Sequence, residues 1–121
     1  MEIIPLAGFS RIDAIDIFED ELKNLFGKDK YGFKNYQKFL YAQLNMIENR
    51  NEKPNRSECI TYKNINLYSI RKPQKKNTRV LYYYMRNNRI ILLSAFVENT
   101  HASYEHGKKQ AYSRLKNLGI I

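Results

Sequence analysis

The chain has one cysteine, Cys59, so no internal disulfide is open to it. A lone thiol suits a reducing compartment. No segment near the N-terminus reads as a signal peptide, and no apolar run approaches membrane-spanning length. A cytoplasmic protein with no membrane partner is therefore expected. Internal repeats and low-complexity tracts are missing. So are a P-loop, a G-x-G-x-x-G turn, an H-E-x-x-H pair and a cysteine cluster. His101 and His106 stand five residues apart, off the i, i+4 spacing of paired ligands on a helix. Neither a metal nor a cofactor is expected. Acidic residues are in short supply, 12 against 21 Lys and Arg, which leaves a net charge of +9. That excess points to an anionic partner, either nucleic acid or an acidic protein.

What is present suffices for one packed domain over residues 1–121, since 43% of the residues are apolar. Its centre is Thr78–Val97, where Val80–Met85 and Ile90–Val97 flank Arg86-Asn87-Asn88-Arg89. Tyr, Val, Ile and Phe suit a pleated, buried surface. A type I′ turn at Asn87-Asn88 would pair Met85 with Ile90, Tyr83 with Leu92, Leu81 with Ser94 and Arg79 with Phe96. Both faces are largely apolar, so this hairpin should be covered on both sides, with Tyr82 and Tyr84 buried. Arg86 and Arg89 would face each other at its tip, which is unfavourable unless they are solvated or given an anion.

The remaining elements follow from periodicity. Glu2–Leu6 could be an edge strand. Ser10, with Asp13 three residues on, resembles an N-cap, and Ile12, Ile15, Phe18, Leu22, Leu25 and Phe26 follow at helical spacing up to Gly27. After the loop Lys28–Gly32 comes a second stripe, Phe33, Tyr36, Leu40, Leu44 and Ile47, which should complete an antiparallel helical hairpin. Asn49–Ser57, with Pro54, reads as a loop. Cys59–Tyr62 and Leu67–Arg71 read as strands separated by a kink at Asn64-Ile65-Asn66. Pro73 ends the second, and Lys72–Asn77 is a basic turn. Glu98–Ser103 reads as a loop before a C-terminal helix that carries Tyr104, Lys108, Ala111, Leu115 and Leu118 and stops at Gly119. The expected class is α+β: an N-terminal helical hairpin on a small, mainly antiparallel sheet, followed by a C-terminal helix.

Chemistry gathers at one end of that sheet. Arg71 ends one strand and Arg79 begins the next, and two guanidinium groups there could grip a phosphate. His101 and Tyr104 follow the strand that returns to the same end. Arginines with a His and a Tyr could cleave RNA through its own 2′-hydroxyl: one group removes the proton, cations stabilise the phosphorane, another group protonates the leaving oxygen. The plainer alternative makes Arg71 and Arg79 solvated strand ends and Tyr104 a core anchor. Cys59 lacks the context of a nucleophile.

The runs Leu67-Tyr68-Ser69-Ile70-Arg71, Thr78-Arg79-Val80-Leu81-Tyr82 and Ile90–Glu98, ending in Phe96-Val97-Glu98, resemble the RelE/HigB toxins of type II toxin–antitoxin systems. The phage-derived HigB-like branch is the nearest likeness, and Tyr104, Ala111, Arg114 and Leu115 fit its C-terminal pattern. The resemblance implies a RelE-like fold and a small, basic, metal-independent mRNA endoribonuclease that acts on the ribosome. It also implies silencing by a cognate antitoxin encoded in an adjacent gene. By the resemblance Arg79 would contact the scissile phosphate, Arg71 falls on a second frequent basic position and Tyr104 matches the branch's Tyr. On geometry His101 or Tyr104 is the acid–base candidate, His101 having no family counterpart. Lys72, Lys75, Lys76, Arg86, Arg89, Lys108 and Lys109 are the RNA-binding candidates. Asn99 stands where the family often has a lysine. A catalytically inactive HigB-like protein that binds RNA or an antitoxin shares the same fold. A double-stranded-RNA-binding module, with Gly107-Lys108-Lys109 opening its last helix, is a third reading; the preceding loop and the extra helix count against it.

Overall fold

The computed structural model describes residues 1–50, 57–72 and 77–121. The loop around Pro54 and the basic positions Lys75 and Lys76 lie outside the described residues. Six strands form one sheet: β1 (Ile3–Pro5), β2 (Ile12–Ile15), β3 (Ser57–Tyr62), β4 (Ile65–Lys72), β5 (Thr78–Tyr84) and β6 (Ile90–Val97). Their order is β1-β2-β6-β5-β4-β3. Three helices pack on it: α1 (Phe18–Phe26), α2 (Lys30–Arg50) and α3 (His101–Asn117).

The sheet is mixed, and this corrects the expected architecture. Ile12–Ile15 is a strand, not the first turn of a helix, and it runs parallel to β6 with Ile12 opposite Ile90 and Ala14 opposite Leu92. All four of its residues are buried. A parallel strand covered on both faces reads as a continuous buried run, whereas a surface helix would expose two of those four positions. The spacing of Ile12, Ile15 and Phe18 fits a helix equally well, because a strand running into a helix can bury the same positions. Ser10 is consequently no N-cap, and α1 shrinks to the nine residues after Ile17. It packs against β6, with Phe18, Leu22 and Phe26 buried. Phe26 meets Phe33 and Tyr36 of α2 at ring-centroid distances of 6.2 and 5.8 Å, so α1 and α2 share one face of the sheet. They do so as a layer over six strands, not as a hairpin over a small sheet. Strand β1 adds the outer edge, antiparallel to β2.

The central hairpin pairs as expected near its base, Arg79 with Phe96 and Leu81 with Ser94. Beyond that the register slips by one, so that Tyr82 faces Leu92 and Leu93 is left over as a bulge. The turn is longer than the type I′ form: Met85 donates its N–H to the Arg89 carbonyl at 2.7 Å, and Asn88 takes the left-handed conformation, φ 61°. Two-residue I′ geometry occurs elsewhere, at Lys63-Asn64 (φ 47° and 69°), between the paired Tyr62 and Ile65. Tyr82 is fully buried, but Tyr84, in the last pair before the turn, is exposed.

Helix α3 covers the other face. Arg114 fixes it there: its guanidinium donates to the carbonyl of the bulged Leu93 at 2.7 Å and pairs with Glu21 of α1. That carbonyl lies just past the last β2–β6 pairing, so one arginine satisfies an edge acceptor and ties the two helical layers together. Close approach also needs Gly107, where a Cβ would fall 2.3 Å from the Phe96 ring. Ala is ordinarily the better helix residue by about 0.5–1 kcal/mol. Gly107→Ala should nonetheless destabilise the protein, by about 1–3 kcal/mol from overpacking. The loss should shrink in a Phe96→Leu background. Urea unfolding of the four-variant cycle tests this, and a stabilising Gly107→Ala would refute the contact.

Candidate active site

The face under α3 carries Glu58, Ser69, Arg79 and Phe96 on four adjacent strands, with Glu58 opposite Ser69, Arg79 opposite Phe96, and Ser69 diagonal to Arg79. Arg79 is only 5% exposed. Enclosing a guanidinium this far requires hydrogen bonds and counter-charge. Its Nε donates to Glu98 at 2.8 Å, and Nη1 donates to Ser69 Oγ at 2.8 Å and pairs with Glu58. Glu98 is positioned just after β6 by its N–H bond to the Asn77 carbonyl (2.8 Å) and by the Asn77 side-chain amide at 3.0 Å. The Tyr104 ring lies over the guanidinium carbon at 4.2 Å and meets Phe96 edge-on, with centroids 6.1 Å apart.

Protonation states follow from this packing. Burial pushes the Arg79 guanidinium down, but hydrogen bonds to Glu98 and Glu58 outweigh it and leave the group firmly charged. The bond from Arg79 holds the Glu58 carboxyl below its ordinary value; partial burial opposes this, while the charges of Arg79 and Arg71 and a bond from Tyr104 add to it. Burial raises Tyr104, Arg79 pulls it back, and Glu58 and Glu98 raise it again. At neutral pH the tyrosine is therefore a proton donor and Glu58 an acceptor.

Of the residues singled out in the sequence, Arg79 and Tyr104 meet, and Arg71 stands opposite Arg79 on β4, exposed. His101 does not join them. Thr100 caps α3, its hydroxyl accepting the Ser103 N–H at 3.2 Å, so the helix begins at His101 and turns that side chain outward, 89% exposed. The basic candidates scatter. Lys108 lies over Tyr104 at 4.8 Å, and Lys109 is exposed on the same helix. Lys72 sits over Phe39 of α2 at 5.4 Å, on the opposite face. Arg89 is not an open cation at the hairpin tip: its Nε donates to the buried Asp13 at 2.8 Å, which relieves the expected repulsion from the exposed Arg86. Glu58, Glu98 and Ser69 were not foreseen. Glu98 closes the Phe96-Val97-Glu98 motif, a signal for position but not for role. Among the described residues no group of three or more His, Cys, Asp or Glu is placed to hold a metal ion, and no helix is long and apolar enough to cross a membrane.

The depressed Glu58 carboxyl has a stability consequence of fixed sign. Its contribution is fully present above the unfolded value, about 4.3, and is lost as pH falls through the lower folded value. The stability gap between the wild type and Glu58→Gln should therefore be open at pH 7 and narrow below about pH 4. Urea midpoints across that range measure it, and a gap unchanged down to pH 3 would rule out the linkage.

The model of the family described as phage derived protein Gp49-like (DUF891) matches residues 33–116. The matched segment starts in the first turn of α2, ends in the last turn of α3, and includes Glu58, Ser69, Arg79, Glu98 and Tyr104. No curated protein and no solved structure gives a match. Since most of its length, and the whole cluster around Arg79, fall inside the match, the chain belongs to the Gp49-like family of phage-derived proteins.

Proposed function

We propose that the protein is the toxin of a type II toxin–antitoxin system, a RelE/HigB-like endoribonuclease that cuts mRNA, on the ribosome, and is silenced by an antitoxin from a neighbouring gene. The Gp49-like family is associated with toxin–antitoxin systems, which supports the reading at the level of family. The observation that carries the chemistry is the Arg79 guanidinium stacked on Tyr104 beside the half-exposed Glu58 carboxylate. In the reaction the RNA 2′-oxygen attacks phosphorus and gives its proton to Glu58. Arg79, with Arg71 beside it, stabilises the charge on the phosphorane. The bond to the 5′-oxygen breaks, and Tyr104 supplies the proton that oxygen takes. The products are a 2′,3′-cyclic phosphate and a 5′-hydroxyl, and no divalent ion takes part. The +9 chain favours an acidic antitoxin whose association weakens with salt.

A second reading, binding without cleavage, is favoured by one specific fact. Arg79 is already engaged by two carboxylates, and a phosphate reaches it only if one of them gives way. Glu58, 54% exposed on the outer strand β3, is the one able to move.

Expression of the chain alone and with its neighbouring gene, followed by growth curves and mapping of mRNA 5′ ends, tests the proposal. Tyr104→Phe and Glu58→Gln should each slow cleavage about 10²–10³-fold, within the range of a lost general acid or base. Arg79→Lys should retain charge and fold but recover only part of the activity, because the fork is lost. Undiminished cleavage in Glu58→Gln and Tyr104→Phe would overturn the site, as would dependence on added divalent metal. If Glu58→Gln instead tightens RNA binding and no variant, nor the wild type, ever cleaves, the binding reading stands.

A further inference from the structure

Tyr104, Lys108, Tyr112 and Lys116 recur every four residues along α3, so they form one stripe, tyrosine alternating with lysine. The turn between β3 and β4 adds Tyr62 and Lys63 alongside. The contacts are continuous. Lys108 Nζ lies 4.8 Å from the Tyr104 ring centre and 5.9 Å from that of Tyr62. Tyr62 meets Tyr112 edge-on at 5.6 Å. Lys63 lies 5.1 Å from the Tyr112 ring, and Lys116 lies 5.4 Å from it. The chain of cations and rings therefore begins at Arg79, which lies under Tyr104, and runs outward to the end of α3. Carboxylates intrude at Glu105, paired with Lys108, and at the Arg79 end, where Glu58 and Glu98 hold the guanidinium. Lys63 and Lys116 are exposed.

We infer that this stripe is the track that holds single-stranded RNA on one side of the Arg79 site. Lysines that cover ring faces can swing to phosphates on their flexible stems and leave the rings to stack on bases, the combination by which single strands are bound without sequence preference. A purely electrostatic surface would have no use for rings at every second position. An apolar partner would be poorly served by lysines between them. Duplex RNA offers no unstacked base. The inference rests on the ribonuclease reading for its direction toward Arg79, but not for its test.

The probe is a fluorescein-labelled twelve-nucleotide 2′-O-methyl RNA, which lacks the nucleophile and so reports binding alone. Fluorescence anisotropy should show Tyr112→Ala weakening binding about tenfold, within the range for loss of one stacked base. Tyr112→Phe should bind like the wild type. Lys63→Ala/Lys116→Ala, surface changes that leave the core intact, should flatten the slope of log K against log salt by about 1.4, roughly 0.7 per lysine. Unchanged affinity and slope in that folded pair overturn the track. So does equal binding of a duplex of the same length, or binding of polyglutamate but not of the RNA, which would mark a protein-docking face. Loss of binding in these variants with no cleavage of ordinary RNA by the wild type would sink the enzyme reading and leave the track. Cleavage with normal binding in all of them would do the reverse.

Discussion

Strand β6 sets the terms for the rest of the molecule. Six consecutive residues, Ile90–Ala95, are buried, so the strand must have neighbours on both edges and cover on both faces. Strand β5 supplies one edge through a short hairpin. The other edge cannot be filled by anything near in sequence, and the chain uses its N-terminal segment instead, threading β2 alongside in parallel. The cover follows from the same need: α1 follows directly after β2 and lies on one face, and α3 follows directly after β6 and lies on the other. The bulge at Leu93 is where the two edges fall out of step, and Arg114 closes the gap it leaves.

That explains why some of the fold was legible in the sequence and some was not. The existence of the β5–β6 hairpin, its pairing near the base, α2 and the body of α3 are specified by local pattern, and they stand where the pattern puts them. Strand β2 is specified by a partner about 80 residues away, and Ile12, Ile15 and Phe18 satisfy a helical period by coincidence of strand and helix. The hairpin turns show the same limit on a smaller scale. The expected two-residue turn at Asn87-Asn88 is longer because the register slips at the bulge, and the expected kink at Asn64-Ile65-Asn66 is instead a two-residue turn at Lys63-Asn64.

The site divides in the same way. Arg79 and Tyr104 could be singled out because each belongs to a pattern of its own element. Glu58 could not, since only the strand order brings β3 to Arg79, and Glu98, placed by the hairpin register two residues past Phe96, carried no signal of its role. His101 stands apart from the cluster for a local reason: Thr100 caps the helix earlier than the apolar stripe suggests, and the imidazole lies in solvent.

Stability alone is a weak explanation for the cluster under α3. Replacing a buried ion pair by apolar residues of similar volume is often neutral or stabilising, because desolvation consumes most of the Coulomb gain. Phe96, Leu81 and Ala111 show that this layer accommodates apolar side chains. A guanidinium at position 79 with carboxylates at 58 and 98 is therefore a costly way to fill the space. Nor is the arrangement closed like a structural pair. Glu98 is tucked in by Asn77, but Glu58 stands on the outer strand with half its side chain in solvent. Under the proposed function an incoming phosphate would take the place of Glu58, the movable carboxylate, where the stripe of tyrosines and lysines begins.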